Sequence, residues 1–139
     1  MKELNINFVT YSISNRDSND KKSEAKAASA LGNVHNKIKD HHAALQFHQL
    51  DLNISSNEDG ILNDGVDYQG QMRALRNLGS TYESMGKLSD AIAFHEKHLA
   101  IATQNDDIVG KADALNCLGK FIYHTVLQYL WLNFARIKT

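Results

Sequence analysis

Seven histidines in a chain of 139 residues invite a metal or acid–base reading. Five of them fall into two clusters, His41–His42 with His48, and His95 with His98. Adjacent His41 and His42 diverge by about 100° around a helix and cannot readily share an ion. His95-Glu96-Lys97-His98 is one residue short of the zinc-protease pattern, which needs histidines at i and i+4 with a Glu beside the first. The acids Glu58, Asp59, Asp64 and Asp67 fail the calcium-loop pattern of alternating oxygens closed by a Glu, and read as a solvated loop. Cys117 is the single cysteine and cannot form an intrachain disulfide. It points to a reducing, cytoplasmic compartment and, just before Leu118–Gly119 in a helical stretch, reads as a packed thiol rather than a nucleophile. No phosphate-binding Gly loop, nucleophile elbow or framed carboxylate pair is present. These residues predict no enzyme, no metal and no cofactor; a metal-dependent hydrolase built on the histidines is kept as the remote alternative.

His48 and His95 are better understood as copies of each other. Leu78–Gly79, Tyr82, Gly86, Ala91–Ile92, Phe94–His95 and Leu99 match Leu31–Gly32, His35, Lys39, Ala44–Leu45, Phe47–His48 and Leu52, and the pattern begins again at Leu118–Gly119. A repeat of this size is one supersecondary unit that buries its apolar face only by stacking on its neighbours. The two histidines hold a repeat position that is structural. Hydrophobic content of 42% permits a core, the formal charge of −1 supplies no attraction to nucleic acid or a membrane surface, and the absence of Pro suits long helices.

The elements follow from caps and periodicity. Residues 1–17 mix a strand-like alternation of Leu4, Ile6 and Phe8 with a blurred continuation, and read as a leader or the remnant of a preceding helix. Met1–Asn15 lacks the apolar core and cleavage site of a signal peptide. No apolar run reaches the roughly 18 residues of a membrane span. The repeat region covers 18–120. Repeat 1 occupies about 18–57, with Ser18 or Asp20 as a cap, a first helix to about Ile38, and a second helix capped by Asp40. A turn-rich loop covers 55–65. Repeat 2 occupies about 66–105. Its first helix spans Val66 to Met85 and closes at Gly86, and its second opens at Ser89 or Asp90. The first helix of repeat 3 starts near Asp107.

Gly32, Gly79 and Gly119 stand mid-helix, where each costs about 1 kcal/mol relative to Ala. Close approach of the antiparallel helix, with Ala44 and Ala91 facing the gap, would explain that cost. Leu31, Leu78 and Leu118 would fill the layer between helices. The unit resembles the tetratricopeptide repeat. Asn77-Leu78-Gly79, Tyr82, Gly86, the run Ala91 to Ala102 and Asp107 resemble its 40-residue variety, of the Pins/LGN-like or long-array type. The resemblance implies an all-α solenoid of antiparallel helix hairpins, with about two full repeats plus an incomplete third.

It also implies a non-catalytic scaffold whose concave groove holds a protein or peptide partner, in cell division, polarity or signalling, with no nucleic acid and no membrane span. The first helices would line that groove with Asn33, Arg73, Arg76, Asn77, Ser80, Glu83, Asn116 and Lys120, joined by Ser29 and Asp113. Asn pins peptide amides, and Arg73 with Arg76, three residues apart, would form one positive spot. The carboxylate-clamp pattern of chaperone-binding relatives is partial: Asn33 and Asn77 fit it, whereas Ser29, Asp113 and Cys117 do not. Residues 121–139 are apolar and atypical, with Val126 and Trp131 where a repeat carries small residues. Three readings stand for them: a partner-binding or dimerising helix, a helix folded back as a cap, or a variant chain end. A self-associating array segment, with a homo-oligomer formed through 121–139, is the alternative function.

Overall fold

Strong helix formers, the lack of Pro and Asp residues at the starts of apolar-periodic stretches dictate helices joined by short turns. A computed structural model of the protein describes residues 18–57 and 65–137. Within them run α1 (Ser18–Lys37), α2 (His41–Ser56), α3 (Tyr68–Ser84), α4 (Leu88–Gln104) and α5 (Ile108–Ile137), with no strand among the described residues. The fold is an all-α solenoid of helix hairpins: α1 packs on α2 and α3 on α4, α2 and α4 pack against the next hairpin's first helix, and α1 also touches α3. The leader 1–17 and the acids Glu58, Asp59 and Asp64 lie outside the described residues.

Caps set the boundaries and move some of them from the expected places. Asp40 accepts from the Ala43 N–H at the start of α2. Asp67 accepts from the Gly70 N–H at 3.0 Å, so α3 begins at Tyr68 rather than Val66. Asp107 does the same for Gly110 at 2.9 Å. α4 begins at Leu88, not at a cap formed by Ser89 or Asp90; Lys87 holds the cap position without a side-chain bond. α1 is described from Ser18 onward and runs to Lys37. α2 continues through Ser55 and Ser56 and shortens the expected loop, because Ser55 is buried and donates to Asp51. Gly86 turns the second hairpin at φ 73°, and Lys39 takes the same left-handed backbone at φ 62° in the first, where an L side chain is strained.

The helix glycines do mark close approach, but the neighbour is a histidine ring rather than an alanine. A Cβ on Gly79 would lie 2.6 Å from the His95 ring, and one on Gly32 would collide with the His48 ring. Both rings are fully buried. Each hairpin also stacks an aromatic pair at equivalent positions, His35 on Phe47 and Tyr82 on Phe94, both at 5.3 Å between centroids. Leu78 is buried as expected, whereas Leu31 is exposed, since no described helix covers that side of α1. Gly119 faces open space, with nothing within 4 Å of an added Cβ. The third unit has no second helix among the described residues. α5 runs unbroken for 30 residues and does not fold back as a cap. Phe121 is buried near His95, and nearly all of the helix beyond it is exposed.

Candidate interaction face

The first helices lie side by side and are tied by polar rungs. Asn77 Nδ2 donates to Ser29 Oγ at 3.0 Å between α3 and α1. Arg76 Nη1 donates to Asp113 Oδ2 at 3.1 Å, and Gln69 Nε2 to Asp107 Oδ2 at 2.9 Å, between α3 and α5. The Asp107 carboxyl is held below the ordinary carboxylate range by the Gly110 N–H first and the Gln69 amide second.

Several expected groove residues are thereby spent on structure. Arg73 forks onto Asp51 through Nε at 3.0 Å and Nη2 at 2.6 Å. Asp51 is fully buried, and burial raises its carboxyl pKa against the opposing pull of Arg73 and Ser55. Asn77 and the buried Ser29 hold each other. Arg73 and Arg76 therefore do not form one positive spot: each is neutralised by a different carboxylate, on α2 and on α5. The commitment of Asn77 also removes one of the two matches to the carboxylate clamp. What remains on this face is Asn33, Glu83, Asn116 and Lys120, all exposed, with Ser80 half-buried. Among the described residues none of these side chains makes a hydrogen bond or ion pair.

A cleft of about 560 Å³ opens between α3, α4 and α5, lined by Gln69, Met72, Arg73, Arg76, His98, Asp107, Val109, Gly110 and Asp113. Its origin lies in the two junctions between hairpins. Asp51 of α2 meets Arg73 of α3 at the first junction. The same repeat positions at the second junction are His98 of α4 and Asp113 of α5. The carboxylate–guanidinium fork fills its junction, whereas Asp113, at the position of Arg73, is shorter than Arg and turns to Arg76 instead of His98. His98 is 2% exposed, and its Nδ1 has no hydrogen-bond partner. Burial lowers its pKa while Asp113 opposes that shift, so the ring is held toward neutrality at the wall of the cleft.

Asp51, His98, Gln69 and Asp107 were not among the predicted site residues. Asp51 carried a readable signal: it lies four residues after Phe47, on the apolar face of α2, where an acid requires a buried partner. Asp67-x-x-Gly70 and Asp107-x-x-Gly110, 40 residues apart, likewise announce matched helix starts. His48 and His95 are packed rings without partners on either nitrogen, and burial lowers both pKa values, that of His48 to about 4. Burial raises the Cys117 thiol pKa, which keeps it protonated rather than nucleophilic. Among the described residues no group of three or more His, Cys, Asp or Glu is placed to hold a metal, and no helix is long and apolar enough to cross a membrane.

Stacked hairpins with tied first helices define a helical-repeat protein. A tetratricopeptide-repeat family model matches residues 74–109, from mid-α3 to the start of α5. The match supports a repeat protein of the tetratricopeptide type, a class that generally mediates protein–protein interactions and is typically non-catalytic. A search of curated proteins and one of solved structures found no significant match.

Proposed function

We propose that this chain is a non-catalytic scaffold module that holds an extended segment of a protein partner along the face shared by α1, α3 and α5. The observation that carries the reading is a division of labour on that face. Its rungs fix the helices, while Asn33, Ser80, Glu83, Asn116 and Lys120 stay uncommitted. Asn amides complement the N–H and C=O groups of an extended backbone, and Glu83 with Lys120 selects side chains of opposite charge. The cleft at His98 offers room for one side chain of the bound segment. A cytoplasmic setting and a role in division, polarity or signalling belong to the same proposal and rest on the single cysteine and on the resemblance to the 40-residue type.

Pulldown with the full chain, read by mass spectrometry, identifies the partner. Asn33→Ala with Asn116→Ala, and separately Lys120→Glu, should each weaken capture about tenfold or more, as residues at the centre of an interface do. The circular dichroism should be unchanged. Capture that survives both changes removes this face from the binding site.

A further inference from the structure

The second half of α5 is written as a seam. Tyr123, Leu127, Leu130, Phe134 and Ile137 follow each other at alternating steps of four and three residues, the spacing of the a and d positions of a left-handed coiled coil. They are 68%, 47%, 57%, 61% and 84% exposed. At about 100° per residue, this seam lies nearly opposite Ala114 and Phe121, the buried residues by which α5 sits against its own repeat. The chain's own hairpins therefore cannot cover it, and nothing in them obstructs a partner that approaches from the far side.

We propose that residues 122–137 form a dimerisation helix, whose seam pairs antiparallel with the same seam of a second copy of this chain. Area supports the choice of a whole helix as occupant. Ten apolar side chains between Ile122 and Ile137 are 47–84% exposed. The five on the seam, with Val126 and Trp131 at its flanks, present on the order of 800 Å² per chain, close to the about 800 Å² per partner in a stable complex. The near absence of charge allows a second copy to pair without repulsion, and the placement of the repeat bodies sets its direction. No acid lies between Asp113 and Ile137, and Arg136 is the one fully charged residue from Phe121 onward in the described helix. A parallel pair would set the two repeat bodies side by side at one end of the paired helices. An antiparallel pair sends the repeat bodies to opposite ends and keeps them apart. In that register Tyr123 faces Phe134 and Leu127 faces Leu130, and the two-fold axis repeats both layers. The Trp131 and Val126 side chains flank the seam. Dimerisation leaves Asn33 on α1 and Ser80 and Glu83 on α3 open, while Asn116 and Lys120 continue the spacing of the seam, so the dimer and the proposed partner site meet on that part of α5.

The test is light scattering of the full chain over a concentration series. Particles should approach twice the 15.6 kDa chain mass, while Leu127→Glu with Leu130→Glu should return a monomer that keeps its helical signal and its melting of the repeat region. Register is read in a Cys117→Ser background. A mixture of Tyr123→Cys and Phe134→Cys chains should oxidise to the mixed disulfide in preference to the 123–123 product. A monomer at every concentration, particles larger than two copies, association that survives the double glutamate change, or preferred 123–123 linkage would each overturn the proposal. A monomer that floats with neutral lipid vesicles would assign the seam to a lipid surface instead.

Discussion

Gly79 and Gly119 hold the same place in successive repeats, 40 residues apart, yet their surroundings are opposites. At Gly79 an added Cβ would meet the buried His95 ring at 2.6 Å; at Gly119 it would meet nothing within 4 Å. The contrast extends to whole regions. From α1 to α4 every helix has a hairpin partner, the rings of His48 and His95 fill glycine gaps, and an acid as costly to bury as Asp51 is matched by a fork from Arg73. In α5 the local sequence keeps the repeat's leucine and glycine, but among the described residues no second helix lies beside it beyond Phe121 and its apolar side chains stay exposed. A glycine is required by its neighbour rather than by the helix that contains it.

The largest effect that would sharpen this contrast comes from the charges at the two junctions. Arg73→Ala strands the fully buried Asp51 and should cost about 3–5 kcal/mol in urea unfolding. Arg76→Ala removes a pair whose side chains are 48% and 37% exposed, and should cost no more than about 1 kcal/mol. Equal losses from the two would break the distinction between the closed part and the junction to α5.

The histidines give the next effect. The His48 pKa is about 4 in the folded chain against 6.5 for the free side chain, and His95 is shifted the same way. Between these values the unfolded chain binds more protons than the folded one. Stability is therefore present above pH 6.5 and falls as pH drops toward 4, by about 3 kcal/mol from His48 alone. His48→Phe should flatten that slope in melts across pH 4–7. An unaltered slope would place the sensitivity elsewhere.

Alanine at the matched glycines gives the smallest effects and the clearest sign. Gly79→Ala should destabilise by about 1–3 kcal/mol through crowding of the His95 ring. Gly119→Ala should stabilise by about 0.5–1 kcal/mol, since only the backbone entropy of glycine is removed. Destabilisation at Gly119 as well would mean that a second helix covers it in solution, and would erase the contrast.

Much of the architecture was legible from residue types and spacing. The repeat copies, the hairpin turn at Gly86, the cap at Asp40, the helix start near Asp107, and the failure of the third unit after Leu118–Gly119 are local or periodic properties. Helix boundaries shifted by a residue or two where a side chain chose a neighbouring N–H, as Asp67 did for Gly70. The candidate face was legible only in outline. Arg73 and Asn77 stand at positions that point toward a groove, but Asp51 and Ser29, 22 and 48 residues away, claim them first.

The linear chain determined that helices form, where they turn and that they stack with a common unit, because propensity, capping and apolar period act within a few residues. Tertiary structure decided which polar side chains stay available and which are consumed. That choice depends on partners brought together across hairpins, and on whether burial leaves a charge any alternative to pairing. It also decided the fate of α5. Its sequence dictates a helix with an apolar seam, but whether the seam is core or surface depends on the second helix beside it.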